Sequence, residues 1–246
     1  MARKIEQTIM EWANYVARKF PGLKQILIPI YYPFLNLSKR KREKTFRKYS
    51  LKVLKDFHNC MEIEGYHYTL AFGSMLGAIR EKGFIKHDID IDVCLWIDEY
   101  NDSLRKALGR AGFKLDHYFL VDDGKLGREE TYIKNGVSID IFYIYPAIND
   151  LPYCCDFICY NDAPTFKSCN KKHGGAQPRR IEMPFERERE LTPFEDIKLY
   201  IPRNAHTQLK YRYGETYMIP NPNWSILSYD SHIITWEDKR GVYFAK

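Results

Sequence analysis

No stretch of the 246 residues stays apolar for eighteen consecutive positions, which argues against a bilayer-spanning helix within them. The opening "MARKIEQTIMEWANYVARKF" has neither the apolar core nor the small-residue cleavage site of a secretory signal. Cysteine is scarce, six in all, so a disulfide scaffold is not expected. Four of them cluster (Cys154, Cys155, Cys159, Cys169), and Cys60 and Cys94 sit in apolar patterns, which suits a reducing, cytoplasmic setting. There is no internal repeat and no low-complexity tract. Acidic residues are nearly missing from residues 1–48, where twelve Lys or Arg face three Glu. That segment carries +9 of a formal +6, leaving −3 on the remainder.

What is present is ample core material, 45% hydrophobic, for one large domain or one domain with an appendage. Ile5, Ile9, Trp12, Val16 and Phe20 recur at helical spacing, and Pro21 and Gly22 are expected to end that helix. The apolar run "LKQILIPIYYPFLNL" is broken by Pro29 and Pro33 and followed by the basic "SKRKREKTFRK". Residues 1–48 are therefore read as a separate segment that either lies on an anionic membrane surface at the inner face or packs as a helix and loop on the core with a solvated basic face. Residues 49–246 form the body.

Within the body, 43–63 reads as a helix, "YHYTLAF" as a strand, and "GSMLGAIREKG" as a tight turn into a short helix. "IDIDVCLW" reads as a strand and 100–113 as a helix. "KLDHYFLV", "ETYIKNG", "VSIDIFYIYP" and "YCCDFICY" follow as strands, and a helix is expected around "AHTQLKYRYG". The pattern is mixed α/β (α+β), a mostly central sheet flanked by helices.

Alternation puts Asp88, Asp90 and Asp92 on one face of a strand, with Ile89, Ile91 and Val93 on the other. Three like charges so spaced repel and raise one another's pKa, so something positive must stand among them. A hard divalent cation such as Mg²⁺ serves best. Asp140, between Ile139 and Ile141, repeats the theme on a second apolar strand, where an unpaired carboxylate is costly. Gly73 and Ser74 follow a strand and open a helix, presenting backbone N–H groups and a hydroxyl to a phosphate. Gly-Ser, then Asp-x-Asp on a strand, then Asp on a later strand is the order of the nucleotidyltransferase active site.

The stretch "GSMLGAIREKGFIKHDIDIDV" resembles the signature of the LicD/fukutin family of phosphotransferases. "VSIDIF" and the C-terminal "YIPRNAHTQLKYRYGETYMIP" extend the resemblance in order over about residues 50–222. The family's Pro-Trp-Asp-Asp-Asp-Ile-Asp is Lys86-His87-Asp88-Ile89-Asp90-Ile91-Asp92 here, so its middle aspartate is Ile89. The resemblance implies a nucleotidyltransferase-like fold and transfer of a phospho-alcohol, such as phosphocholine or ribitol phosphate. The donor would be a CDP-alcohol, and the acceptor a hydroxyl of a cell-surface glycan or lipid-linked glycan.

On that implication Asp90 and Asp92 hold Mg²⁺ or Mn²⁺, with Asp88 a ligand or a supporting group. Asp140 holds a second metal or accepts the acceptor's proton, and Gly73, Ser74 and Arg80 take the phosphate. A choline headgroup would call for an aromatic cage, with Tyr143, Tyr145, Tyr153 and Tyr160 as candidates. Cys155, Cys159, Cys169 and His173 have the residue types of a structural zinc site, or else are strand and core residues. The rival reaction on the same fold moves a nucleoside monophosphate from an NTP. A nucleic-acid partner is not expected, because the site is acidic and a broad basic face is missing from the body.

Overall fold

A computed structural model describes residues 21–221 and 232–246, with side chains for residue 37 and from 39 onward. The helix expected over 5–20 lies outside the described residues. The first described element is one helix, α1 (Pro21–Glu64), not a broken run followed by a second helix. Proline removes a hydrogen bond but holds φ near a helical value, so Pro29 and Pro33 do not turn the backbone out. Gly65, at φ 74°, ends α1 in the left-handed conformation that suits glycine. The helix passes residue 48 without interruption, and Phe46, Val53, Leu54, Phe57 and Met61 line its buried face.

The chain continues as β1 (Thr69–Leu70), α2 (Phe72–Arg80), β2 (Asp90–Trp96), α3 (Asp102–Arg110), β3 (Lys114–Val121), β4 (Gly127–Lys134) and β5 (Val137–Ile144). Then come β6 (Tyr153–Ile158), α4 (Phe166–His173), β7 (Gln177–Glu182), β8 (Arg189–Phe194) and β9 (Ile197–Pro202). The last described elements are α5 (Ala205–Tyr213), β10 (Ile233–Thr235) and β11 (Gly241–Ala245).

Six strands form the main sheet in the order β1-β2-β5-β4-β3-β11. The β2–β5 pair is parallel and the other neighbours are antiparallel, so the sheet is mixed. Alternation sends Ile91, Val93, Leu95, Ile139, Ile141 and Tyr143 to one face, all essentially unexposed, against α1 and α3. On the other face, Cys94 and Ile144 pack with Phe72, Cys154, Ile181 and Met183 under the small sheet β10-β7-β6. That cluster covers the C-terminal halves of β2 and β5. The N-terminal halves carry Asp90, Asp92 and Asp140. All six cysteines are free thiols.

Candidate active site

The site is built where β1 turns into α2. Ala71 N–H donates to the Asp92 carbonyl at 3.0 Å, which lays the turn against β2. Phe72 then adopts φ 42°, a strained value for a bulky residue and of the kind found at functional turns. Its ring meets Phe142 edge-on at 5.0 Å. Gly73 N–H donates to the Asp92 carboxylate. A methyl group on Gly73 would stand 3.7 Å from Asp92 Oδ2 and 3.8 Å from Asp88 Oδ1, so the two carboxylates meet over this backbone. Ser74 is 1% exposed, and its Oγ accepts the Asp92 N–H at 2.9 Å. The hydroxyl thus ties α2 to β2.

Asp88 is not on the strand. It sits in the preceding turn, where its N–H donates to the Ile85 carbonyl at 3.0 Å and its Oδ2 accepts the Ile85 N–H at 3.1 Å. The turn still brings it to Gly73, beside Asp92. Asp90 and Asp92 share a face of β2, and Asp140 stands directly opposite Asp92 on β5. Burial, and then the charges of Asp90, Asp140 and Asp88, push the Asp92 carboxyl well above its ordinary range. Burial and the Asp90 charge push Asp88 up to about 7, against the Ile85 hydrogen bond.

Such a group stores its proton preferentially in the folded state. Between about pH 4 and 7 the native Asp88 retains a proton that the unfolded chain has lost, so stability falls as pH rises through that window. In EDTA, the melting temperature of the wild type relative to Asp88→Asn should therefore decline from pH 4 to 7, and Mg²⁺ added above pH 7 should recover part of it. A flat difference across that window would contradict the crowding of charge.

Among the described residues no three His, Cys, Asp or Glu side chains close around a metal on their own. Structural zinc needs four protein ligands, and the proposed set does not form. Cys155 is core on β6, Cys169 Sγ–H donates to the Ala163 carbonyl at 3.1 Å, and His173 Nε2 pairs with Asp162 Oδ1 at 2.9 Å. Mg²⁺ is a different case: it takes one or two carboxylates and completes its shell with phosphate oxygens and water. Asp90 and Asp92, on β2 beside the Gly73 turn, fit that requirement.

A cleft of about 540 Å³ opens beside Gly73 and Asp88, lined also by Arg80, His87, Tyr213 and Tyr217. Arg80 faces it rather than bulk solvent, with a side chain 12% exposed. Its Nε donates to Glu81 Oε1 at 2.8 Å and its Nη1 to the Tyr217 carbonyl at 3.2 Å, which holds the guanidinium at the wall. Burial and the Asp92 charge push the Tyr213 phenol up.

Gly77 sets the far side of the same turn. A Cβ there would lie 2.5 Å from the Gly83 carbonyl oxygen, closer than any real contact. Gly77→Ala should therefore displace the 83–88 loop and destabilise the fold by about 1–3 kcal/mol. Urea denaturation with an unchanged midpoint would refute that packing.

The tyrosines considered for a cage do not form one. Tyr143 is wholly buried on the helix-covered face, and Tyr145 and Tyr153 donate their hydroxyls to the Gly124 and Leu126 carbonyls. Tyr160 lies tilted against His173, 4.2 Å between centroids. One acid at the site went unrecognised in the sequence. Glu129 on β4 lies on the Asp140 face, and burial followed by Asp140, Asp156 and Asp92 pushes its carboxyl well above the ordinary range. Its neighbour Glu130 points the other way and is neutralised by Arg105, Arg128 and the Tyr132 hydroxyl. Nothing in "GREETYIK" itself says which glutamate takes which face.

Residues 65–204, more than half of the chain, match the family described as "LicD/FKTN/FKRP, nucleotidyltransferase domain". The chain belongs to the LicD/fukutin family. It is 28% identical over 191 residues to the mouse (Mus musculus) ribitol-5-phosphate transferase FKTN, covering 75% of this chain and 35% of that protein. The human protein of the same name is 24% identical over 185 residues, covering 73% of this chain and 35% of that one. The lipopolysaccharide cholinephosphotransferase LicD of Haemophilus influenzae is 48% identical over 50 residues, covering 20% of this chain and 19% of that protein. The chain spans about a third of the length of the FKTN relatives it matches. The LicD/fukutin match contains β1, α2, β2 and β5, and so every aspartate discussed above, while the "YGETYMIP" end of the sequence resemblance lies beyond residue 204.

Proposed function

We propose that this LicD/fukutin-family chain transfers a phospho-alcohol from a CDP-linked donor to a hydroxyl of a glycan or lipid-linked glycan. The observation that carries this is the turn at Gly73, where a helix N-terminus, the Asp88 and Asp92 carboxylates and an arginine-lined cleft meet, with Asp140 opposite. The relatives are named for ribitol 5-phosphate and for phosphocholine transfer, which favours a phospho-alcohol as the group moved.

The chemistry asks chiefly for positioning and charge neutralisation. The N-terminus of α2 offers its backbone N–H groups to the donor phosphate. Ser74 accepts the Asp92 N–H through its hydroxyl oxygen and keeps its own O–H hydrogen, with its backbone N–H, for the phosphate. Arg80, already braced by Glu81 and Tyr217, gives a rigid fork for a phosphate oxygen pair. Asp90 and Asp92 would hold Mg²⁺ or Mn²⁺, which when bound neutralises the donor's diphosphate and the departing CMP. Asp140, across the ladder, takes the proton of the attacking acceptor hydroxyl.

Incubation with CDP-ribitol, CDP-choline or CDP-glycerol and Mg²⁺ should release CMP in the presence of a glycan acceptor. Pyrophosphate released from an NTP, with no CMP from any CDP-alcohol, would establish the nucleotidyl-transfer alternative instead.

Among the described residues no helix is long and apolar enough to cross a membrane. We propose surface contact through the basic stretch of α1. Lys39, Arg40 and Lys41 are exposed, and Arg47 Nη2 donates to the Lys86 carbonyl at 3.4 Å, joining this stretch to the loop before Asp88. Removing residues 1–48 would also remove Phe46, packed edge-on to Phe84 at 5.0 Å, so charge reversal is the cleaner probe. Changing Lys39, Arg40 and Lys41 together to Glu should weaken sedimentation with phosphatidylserine vesicles, each basic residue being worth about 1 kcal/mol. Vesicle binding equal to wild type at low salt would exclude this contact.

A further inference from the structure

Three arginines among the described residues are buried: Arg128, Arg180 and Arg212. Two of them have an acid beside them. Arg128 Nη1 donates to Glu130 Oε1 at 2.8 Å, and Arg180 Nη2 lies 3.3 Å from Glu182 Oε1. Arg212, on α5, is the exception. It is 6% exposed, its buried Nε has no partner, and no carboxylate among the described residues pairs with it. An arginine cannot shed its charge inside a protein, so a buried guanidinium without a counter-ion is costly to keep.

Its place in the fold says which anion would relieve that cost. Arg212 Cζ lies 5.4 Å from the centre of the Phe72 ring. Phe72 is the first residue of α2 and holds the strained backbone next to Gly73. Its ring meets Phe142, which shares a face of β5 with Asp140. The first turn of a helix attracts an anion through its unpaired N–H groups. Burial and then the Asp92 charge push the Tyr213 phenol up, and the Arg212 charge acts against them. Both charges thus bear on one ring of the cleft. Arg80 stands at the other end of α2, about 12 Å along the axis by helical rise, and is already bonded to Glu81 and to the Tyr217 carbonyl.

We propose that Arg212 is a second guanidinium for the donor's diphosphate. It binds the phosphate group seated at the N-terminus of α2, and Arg80 takes the other from the cleft wall. The inference rests on the CDP-linked donor of the function proposed above. An unspent charge in a buried setting attracts an incoming phosphate more strongly than one already held by a carboxylate. Stacking on Phe72 keeps the guanidinium in place without using its N–H groups.

Melting of the full chain in EDTA tests this without turnover. Arg212→Met keeps a long, unbranched side chain and removes the charge. Without added anion it should melt at or above the wild-type temperature, since an uncompensated buried charge is gone. Inorganic pyrophosphate should raise the wild-type melting temperature, and Arg212→Met should lose most of that rise. Arg212→Lys, with the charge but not the fork, should keep part of it. In the CDP-alcohol assay Arg212→Met should raise donor KM about 10- to 100-fold, the worth of a hydrogen bond between charged groups, with acceptor KM unchanged.

A methionine variant with the full pyrophosphate rise would make Arg212 a structural residue stacked on Phe72. So would one that melts well below wild type before any anion is added. No pyrophosphate rise in wild type would overturn the anion site, and a change confined to acceptor KM would overturn the donor assignment. If wild type turns over no CDP-alcohol, the donor reading fails alone. The pyrophosphate rise and its loss in Arg212→Met still decide whether Arg212 binds phosphate.

Discussion

Asp92→Asn is expected to lower transfer by roughly 10³-fold or more, since a site for metal and phosphate charge loses several kcal/mol of electrostatic stabilisation. The fold should survive. Asp92 is crowded by Asp90, Asp140 and Asp88, and its carboxyl already sits well above the ordinary range, so an amide removes repulsion rather than an attractive pair. The Gly73 N–H keeps an oxygen to bond. In EDTA the melting temperature should equal or exceed that of wild type, and the rise on adding Mg²⁺ should vanish. Asp90→Asn should behave alike.

Asp88→Asn should be milder, because an amide oxygen can still accept the Ile85 N–H that shapes the turn. Near wild-type turnover in Asp92→Asn would remove the metal assignment. A collapse of its stability in EDTA would instead make Asp92 a structural residue.

Asp140→Asn should lower kcat by about 10²–10⁴-fold, the usual worth of a general base, with little change in donor KM. The carboxylate stands opposite Asp92 across the parallel β2–β5 pair, and one of its oxygens, Oδ1, is buried. The amide preserves shape and burial but cannot take a proton at neutral pH. Pre-steady-state mixing with labelled CDP-alcohol separates the possibilities. Normal donor binding followed by slow CMP release fits the acceptor role. A large loss of donor affinity would place Asp140 with the donor's metal instead.

Much of this site can be read along the chain because its parts are local. Asp90 and Asp92 alternating with Ile89, Ile91 and Val93, and Asp140 between Ile139 and Ile141, declare strands with one carboxylate face and one core face. Gly73-Ser74 after a strand declares a turn into a helix. Other parts depend on what folds against them. Asp88 continues the alternation in sequence, yet a turn closed by Ile85 takes it off the strand and delivers it to Gly73 by another route. Ser74 opens the helix in sequence, but only β2 shows that its hydroxyl oxygen also accepts the Asp92 N–H. Arg80 could equally have been a surface residue. The segment at Tyr217 makes it part of a wall.

By itself, then, the sequence determined the family, the two aspartate strands, the helix-opening turn and the one-sided charge of residues 1–48. These follow from backbone periodicity and side-chain chemistry, which act between near neighbours. Only the tertiary structure decided which glutamate of Glu129 and Glu130 joins the site. It also decided that Cys155, Cys169, Tyr143, Tyr145 and Tyr153 are core, that α1 runs through Pro29 and Pro33, and that Asp140 stands opposite Asp92. Strand alternation says that neighbours point oppositely, not which face is covered. Register and coverage are set by burying apolar side chains across ladders between distant segments, a condition that no short window of sequence contains.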